Sequence, residues 1–134
     1  MLAISKHYKF AGGAVANLRY HLVWAPRRRR PVLVGPVAER LSEQLLVSAR
    51  DMGIDVLRMN IQPDRVHLYI SAAPDLAPTQ IVSRLKNASA SLRDEFPDLK
   101  RMPSMWTTTC LVSSVPNLSS ETIEHFVSAQ SKRA

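Results

Sequence analysis

The chain has 134 residues, 46% of them hydrophobic, which is enough for one compact domain with a real core, and no Ser/Gly-rich linker or shift of composition divides it in two. A formal net charge of +7, from 18 Lys and Arg against 11 Asp and Glu, favours polyanionic partners, nucleic acid before acidic membrane surface. One cysteine excludes an internal disulfide, and no apolar run reaches signal-peptide or membrane-spanning length, so the cytoplasm is the expected compartment and no membrane partner is expected.

Residues 1–13, ending in "AGG", read as a loosely held lead-in to a single domain over 14–134. "NLRYHLVW" alternates Leu18, Tyr20, Leu22 and Trp24 against Arg19, His21 and Val23, the period of a strand. "APRRRRPVLVGP" sets four arginines, Arg27 to Arg30, between prolines, which predicts a loop. From Val37 to Met52 the apolar residues Val37, Leu41, Leu45, Ala49 and Met52 keep helical spacing, and Gly53 is placed to stop the helix.

"IDVLRMNI" and "RVHLYISA" are the next two strands, joined tightly through "QPD". A helix is expected from Pro78 to about Phe96, ended by Pro97. "RMPSM" is then loop, and "WTTTCLVSSV" is a β-branched fourth strand. "NLSSETIEHFVSAQSK" offers Ser119 or Ser120 as an N-cap and a short last helix carrying Ile123, Phe126 and Val127. The order βαββαβ plus a C-terminal helix is the α+β, ferredoxin-like pattern, an antiparallel sheet with helices on one face. In "PDRVHLYI" the residues Val66, Leu68 and Ile70 belong to the core side. Arg65, His67 and Tyr69 belong to the opposite face.

Five segments together, "YHLVWAPRRRRPVLVGPVAERL", "PDRVHL", "IVSRLKNASASLRDEFPDLK", "MWTTTCLVSSV" and "IEHFVSAQ", resemble the small HUH-type, single-tyrosine transposases of insertion sequences and their REP-associated relatives. The likeness runs from about Tyr20 to Gln130. It implies an IS200-like fold and DNA transposition through single strands, with recognition of a hairpin at the element's ends. It also implies a homodimer whose active sites each join the histidine strand of one subunit to the tyrosine helix of the other.

The chemistry implied by the resemblance needs two histidines and a glutamine holding a divalent cation, Mg or Mn, and a tyrosine one helical turn before the glutamine that attacks the phosphate. Carried onto this chain, the second histidine is His67 and the glutamine is Gln130. The first histidine position holds Arg65, and the tyrosine position holds Phe126. A phenyl ring has no oxygen with which to attack phosphorus. A guanidinium cannot become a ligand, and at ~4 Å from a divalent ion in an effective dielectric of ~20 it would be repelled by on the order of 8 kcal/mol.

Two of four catalytic groups are therefore substituted, and metal binding is doubtful. The expected protein binds single-stranded or hairpin DNA but does not cut it. A mixed dimer with an active relative is expected to be inactive. Arg65 is read either as a stand-in for the metal's charge that binds phosphate or as a solvated remnant.

Arg27, Arg28, Arg29 and Arg30 are candidate phosphate contacts, with Lys86 and Arg93 as further candidates. Asp64 corresponds to the acidic residue before the histidine pair, with a turn-stabilising or a catalytic role. His21 reads as a hydrogen-bonded structural histidine, Cys110 as a small buried hydrophobe inside the fourth strand, and Trp24 and Trp106 as core. Tyr8, Tyr20 and Tyr69 are placed away from the cleavage pocket. Two alternatives stand beside this reading. One is an active transposase or endonuclease with an unrecognised nucleophile. The other is a ferredoxin-like RNA-binding module, against which the sparse aromatics of the third strand count.

Overall fold

The computed structural model describes residues 8–114 together with His125, Phe126 and Ser128. Its centre is a four-stranded antiparallel sheet in the order β4-β5-β3-β6, where β3 is Leu18–Trp24, β4 is Asp55–Gln62, β5 is Arg65–Ala72 and β6 is Leu111–Ser113. Helices α1, Pro36–Asp51, and α2, Pro78–Ser89, are the crossovers, so the chain follows the βαββαβ course that its patterning predicts. Alternation sorts the two faces. Leu22 and Trp24 of β3 and Val66, Leu68, Ile70 and Ala72 of β5 are buried with Leu41, Leu45 and Ala49 of α1 and Ile81, Val82 and Leu85 of α2. Trp24 and Trp106 meet edge to face with ring centroids 5.9 Å apart, inside this core as expected.

Pairing in the sheet fixes what shares the opposite face. Val23 lies across from His67, His21 across from Tyr69, and on the other side of β5 Asn60 faces His67 and Gln62 faces Arg65. The β4–β5 hairpin turns through Pro63 and Asp64 alone, at the tight connection expected there. Gly53 follows α1 with φ +70, a left-handed stop that a side chain would strain, and its N–H closes onto Arg50 O.

Three expectations change in detail. Part of the lead-in is regular: β1, Lys9–Ala11, pairs with β2, Ala14–Ala16, around Gly12 and Gly13, both with positive φ, the conformation a two-residue hairpin turn requires. The helix expected over 78–96 is two, α2 and the single turn α3, Leu92–Glu95. At the break Ser89 Oγ donates back to Leu85 O at 2.7 Å and receives Trp106 Nε1 at 3.0 Å, so its hydroxyl serves a tertiary contact at the end of α2.

The fourth strand is also shorter than its composition suggests. Trp106 makes an isolated bridge to Pro26, and residues 107–110 run as irregular chain before β6. Cys110 lies in that segment, half-buried against the core, and not in a strand. The last helix expected by the sequence falls mostly outside the described residues. His125, Phe126 and Ser128, which are described, are helical.

Candidate functional site

The sheet face away from α1 and α2 carries the candidate site, because β5 must turn Arg65, His67 and Tyr69 outward to turn Val66, Leu68 and Ile70 inward. His67 does not stand alone there. His21, 4% exposed, lies diagonally across on β3, and its Nδ1 is 2.9 Å from His67 Nε2, so one ring donates and the other accepts. Burial lowers the pKa of His67, and the neighbouring His21 and Arg58 lower it further. The His21 ring also stacks on Tyr69, with centroids 4.4 Å apart and planes 28° apart.

His21 is thus hydrogen-bonded, as the sequence suggests. Tyr69, which the sequence reading places elsewhere, belongs to the histidine stack. Strand alternation puts Tyr69 on this face. What alternation alone cannot supply is the register that sets it opposite His21.

Of the two fates expected for Arg65, the solvated one is not met. Its Nε donates to Asp64 Oδ1 at 3.0 Å and its Nη2 to Asp64 Oδ2 at 3.3 Å, and its side chain is only 11% exposed. A guanidinium forked onto a carboxylate in this way is not solvated, and two of its donor atoms are already taken. Arg29 reaches the same carboxylate, Nε to Asp64 Oδ2 at 2.5 Å, and its Nη1 donates to Ser128 Oγ at 3.3 Å. Burial works against the ionised form of Asp64, but the hydrogen bonds from Arg65 and Arg29, with their charges, outweigh it and hold the pKa below the usual carboxylate range. Asp64 is therefore the hub at which two guanidiniums meet. Ser128, a residue the sequence did not single out, ties the last helix to it.

The arginine run divides. Arg29 turns inward to Asp64, while Arg28 and Arg30 are exposed and Arg27 is half-buried with Nη1 on Ser104 Oγ at 3.2 Å. The loop is held by Arg27 N on Met105 O and by Leu33 N on Pro63 O, which lays it across the β4–β5 turn. Two further phosphate candidates make hydrogen bonds within the chain. Lys86 Nζ donates to Thr107 O at 2.8 Å and Thr109 O at 3.0 Å, and burial lowers its pKa. Arg93 Nη2 donates to Met102 O at 2.6 Å. Both side chains fix the irregular segments beside the core, a use that a helical wheel does not reveal.

Phe126 is half-buried in its helical stretch. Ser128, two residues on, is about 200° away around a helix, so the two side chains leave opposite sides of it. Gln130 lies outside the described residues. Among the described residues no three His, Cys, Asp or Glu side chains gather into a group suited to a metal.

Comparison with known proteins places this arrangement. The family model for IS200-like transposases matches residues 14–130. The ISDra2 transposase TnpA of Deinococcus radiodurans is 34% identical over 122 residues, 88% of this chain and 87% of its own length. The transposase of insertion sequence IS200 from Salmonella typhimurium is 26% identical over 85 residues, 63% of this chain and 56% of that protein. A Deinococcus radiodurans crystal structure assigned to the transposases superposes with a TM-score of 0.82 at 33% identity, covering 91% of this chain and 97% of that one. A REP-associated tyrosine transposase bound to a REP hairpin superposes with a TM-score of 0.58 at 14% identity, covering 95% and 68%, a likeness of fold.

Proposed function

The chain belongs to the IS200-like transposase family, and from that premise we propose that it binds single-stranded or hairpin DNA ends without itself cutting and rejoining them. The observation that carries the reading is a pair of substitutions. Phe126 stands where the family's nucleophile would be, and Arg65, clamped on Asp64, stands where its first metal ligand would be. DNA as the partner is supported by the +7 charge and by the exposed Arg28 and Arg30, and a fold relative is bound to a hairpin.

The donor set among the described residues does not fit a divalent cation. Arg65 brings a positive charge, Asp64 already serves two guanidiniums, and His67 Nε2 is engaged by His21. The protein is proposed to be a homodimer of the shared-site kind, able to pair with an active relative.

The test is fluorescence anisotropy with labelled hairpin and linear single-stranded DNA, with an equal RNA hairpin as competitor. Tight, salt-sensitive DNA binding without a covalent adduct in Mg²⁺ or Mn²⁺ is the expected result. Preference for RNA, or no binding, overturns it. One observation favours the rival enzyme reading: Tyr69 carries a phenol beside the two histidines. An adduct in Mg²⁺ or Mn²⁺ that disappears in Tyr69→Phe would establish that reading in place of ours.

A further inference from the structure

Away from the histidine face, the arginine loop helps to enclose a recess of about 210 Å³. It is lined by Arg27, Arg28, Arg30 and Arg101 with Met102 and Pro103. Among the described residues no carboxylate lines it. The loop makes it by an uncommon device: Arg28 and Arg29 both have left-handed backbone, φ 57 and 56, which costs a non-glycine residue about 1–2 kcal/mol each. The consequence is that Arg29 points to Asp64 and Ser128 while its two neighbours line the hollow.

Arg101, at the end of the 3₁₀ turn Pro97–Arg101, closes the recess from the other side. Arg27 is braced on Ser104, one residue beyond the lining Pro103. Arg28, Arg30 and Arg101 are exposed, and among the described residues none of the three has a carboxylate partner.

We infer that this recess is a phosphate-binding site, taking a backbone phosphate of a nucleic-acid strand at a point separate from the histidine face. Guanidiniums gathered around one hollow repel each other unless an anion sits among them, and their planar forks match phosphate oxygens. The hollow is large enough for a phosphate with part of its sugar. The aliphatic floor of Met102 and Pro103 suits the sugar and not a second anion. The inference deepens the DNA-binding reading and rests on it for the source of the phosphate. The anion site itself does not depend on that reading.

Two measurements on the full chain separate the two. The first is anisotropy with fluorescein-labelled single-stranded DNA across a salt series, on the unaltered protein, Arg101→Ala, the pair Arg28→Ala/Arg30→Ala, and Lys100→Ala as an exposed charge control outside the recess. Arg101→Ala is expected to weaken binding several-fold and to make the salt slope shallower by about 0.7, one single-strand contact, with the pair losing more and Lys100→Ala little. Binding and slope unchanged in the recess variants, or changed equally by Lys100→Ala, would overturn the recess while DNA binding stood.

The second measurement is the thermal shift produced by inorganic phosphate. It is expected for the unaltered chain and lost in Arg28→Ala/Arg30→Ala. That result without any DNA binding would leave the anion site standing and remove the nucleic-acid source. No phosphate shift in the unaltered protein would count against the site. An equal DNA loss with a matched RNA strand would show that the recess reads phosphate and not the sugar.

Discussion

On the proposed reading Arg65 stands in place of an imidazole and differs from it in charge more than in reach, and that charge is met by its neighbours. Asp64 holds it at two atoms and is itself held by Arg29. Restoring the nucleophile alone should therefore restore nothing. Phe126→Tyr is expected to form no adduct with single-stranded DNA in Mg²⁺ or Mn²⁺, because the positive fork still occupies the ligand position. Phe126→Tyr combined with Arg65→His is expected to form one, detectable as a band of protein linked to labelled DNA. An adduct from the single variant would show that Arg65 is no obstacle.

Asp64 and His67 each set a pH dependence. The folded-state pKa of Asp64 lies below its ordinary value of 3.8, so its stabilisation is complete above that value and is lost as pH falls through the lower folded one. His67 has a folded-state pKa below 6.5. The unfolded chain therefore binds the proton first, and stability begins to fall as pH drops below about 6.5. Acid denaturation should show both contributions. Asp64→Asn should remove the lower one and keep the upper, and His67→Gln the reverse. At neutral pH Asp64→Ala should cost on the order of 1–2 kcal/mol in chemical denaturation, since it removes one acceptor shared by two part-buried guanidiniums.

At the scale of elements, the segment between α3 and β6 shows what a cation can do in place of a strand. Residues 107–110 make little ladder, and Lys86 gathers the carbonyls of Thr107 and Thr109 instead. Lys86→Met keeps the stem but leaves both carbonyls without that donor. It should lower stability by about 1–2 kcal/mol in thermal or chemical melts. Burial raises the pKa of Cys110 while Lys86 pulls it down only in part, so the native thiol should react slowly with a disulfide reagent at neutral pH. Loosening the segment through Lys86→Met should speed that reaction. An unchanged rate would mean that the clamp does not hold the segment closed.

These elements also mark how far the sequence could be read. Period two in β3 and β5 and the 3.6 period in α1 were legible because one face of each is buried against the same core. The shortening of β6 was not, because β-branched composition says nothing of a lysine 21 residues back in the chain that would take the carbonyls before it. The break in the second helix depended on a tryptophan N–H arriving at Ser89 from Trp106. For the site, residue identity named Arg65, His67 and Phe126. The clamp on Arg65 and the partnership of His21, His67 and Tyr69 needed the register across three segments.

Over the whole molecule, the question is where the last helix does its work. Within one chain, Arg29 joins Asp64 of the β4–β5 turn to Ser128 of that helix, so the helix has a hold on its own sheet. A shared-site dimer would require the helix to exchange that hold for the partner's. The two arrangements separate when this chain pairs with an active relative. If the helices are exchanged, one site receives Phe126 and the other contains Arg65, so both fail. If each helix stays home, the relative's own site is untouched.

We expect exchange, and hence a dominant loss. With equal amounts of the two chains and random pairing about half of all dimers are mixed. Excision per active chain should then fall to roughly half, and further as this chain is added in excess. Excision undiminished in a preparation where mixed dimers are demonstrated by tagged pull-down would place each helix on its own subunit and make the Arg29–Ser128 contact part of the working assembly. Asp64→Asn in this chain, which weakens the hold on Arg29, should deepen the loss if exchange is what causes it.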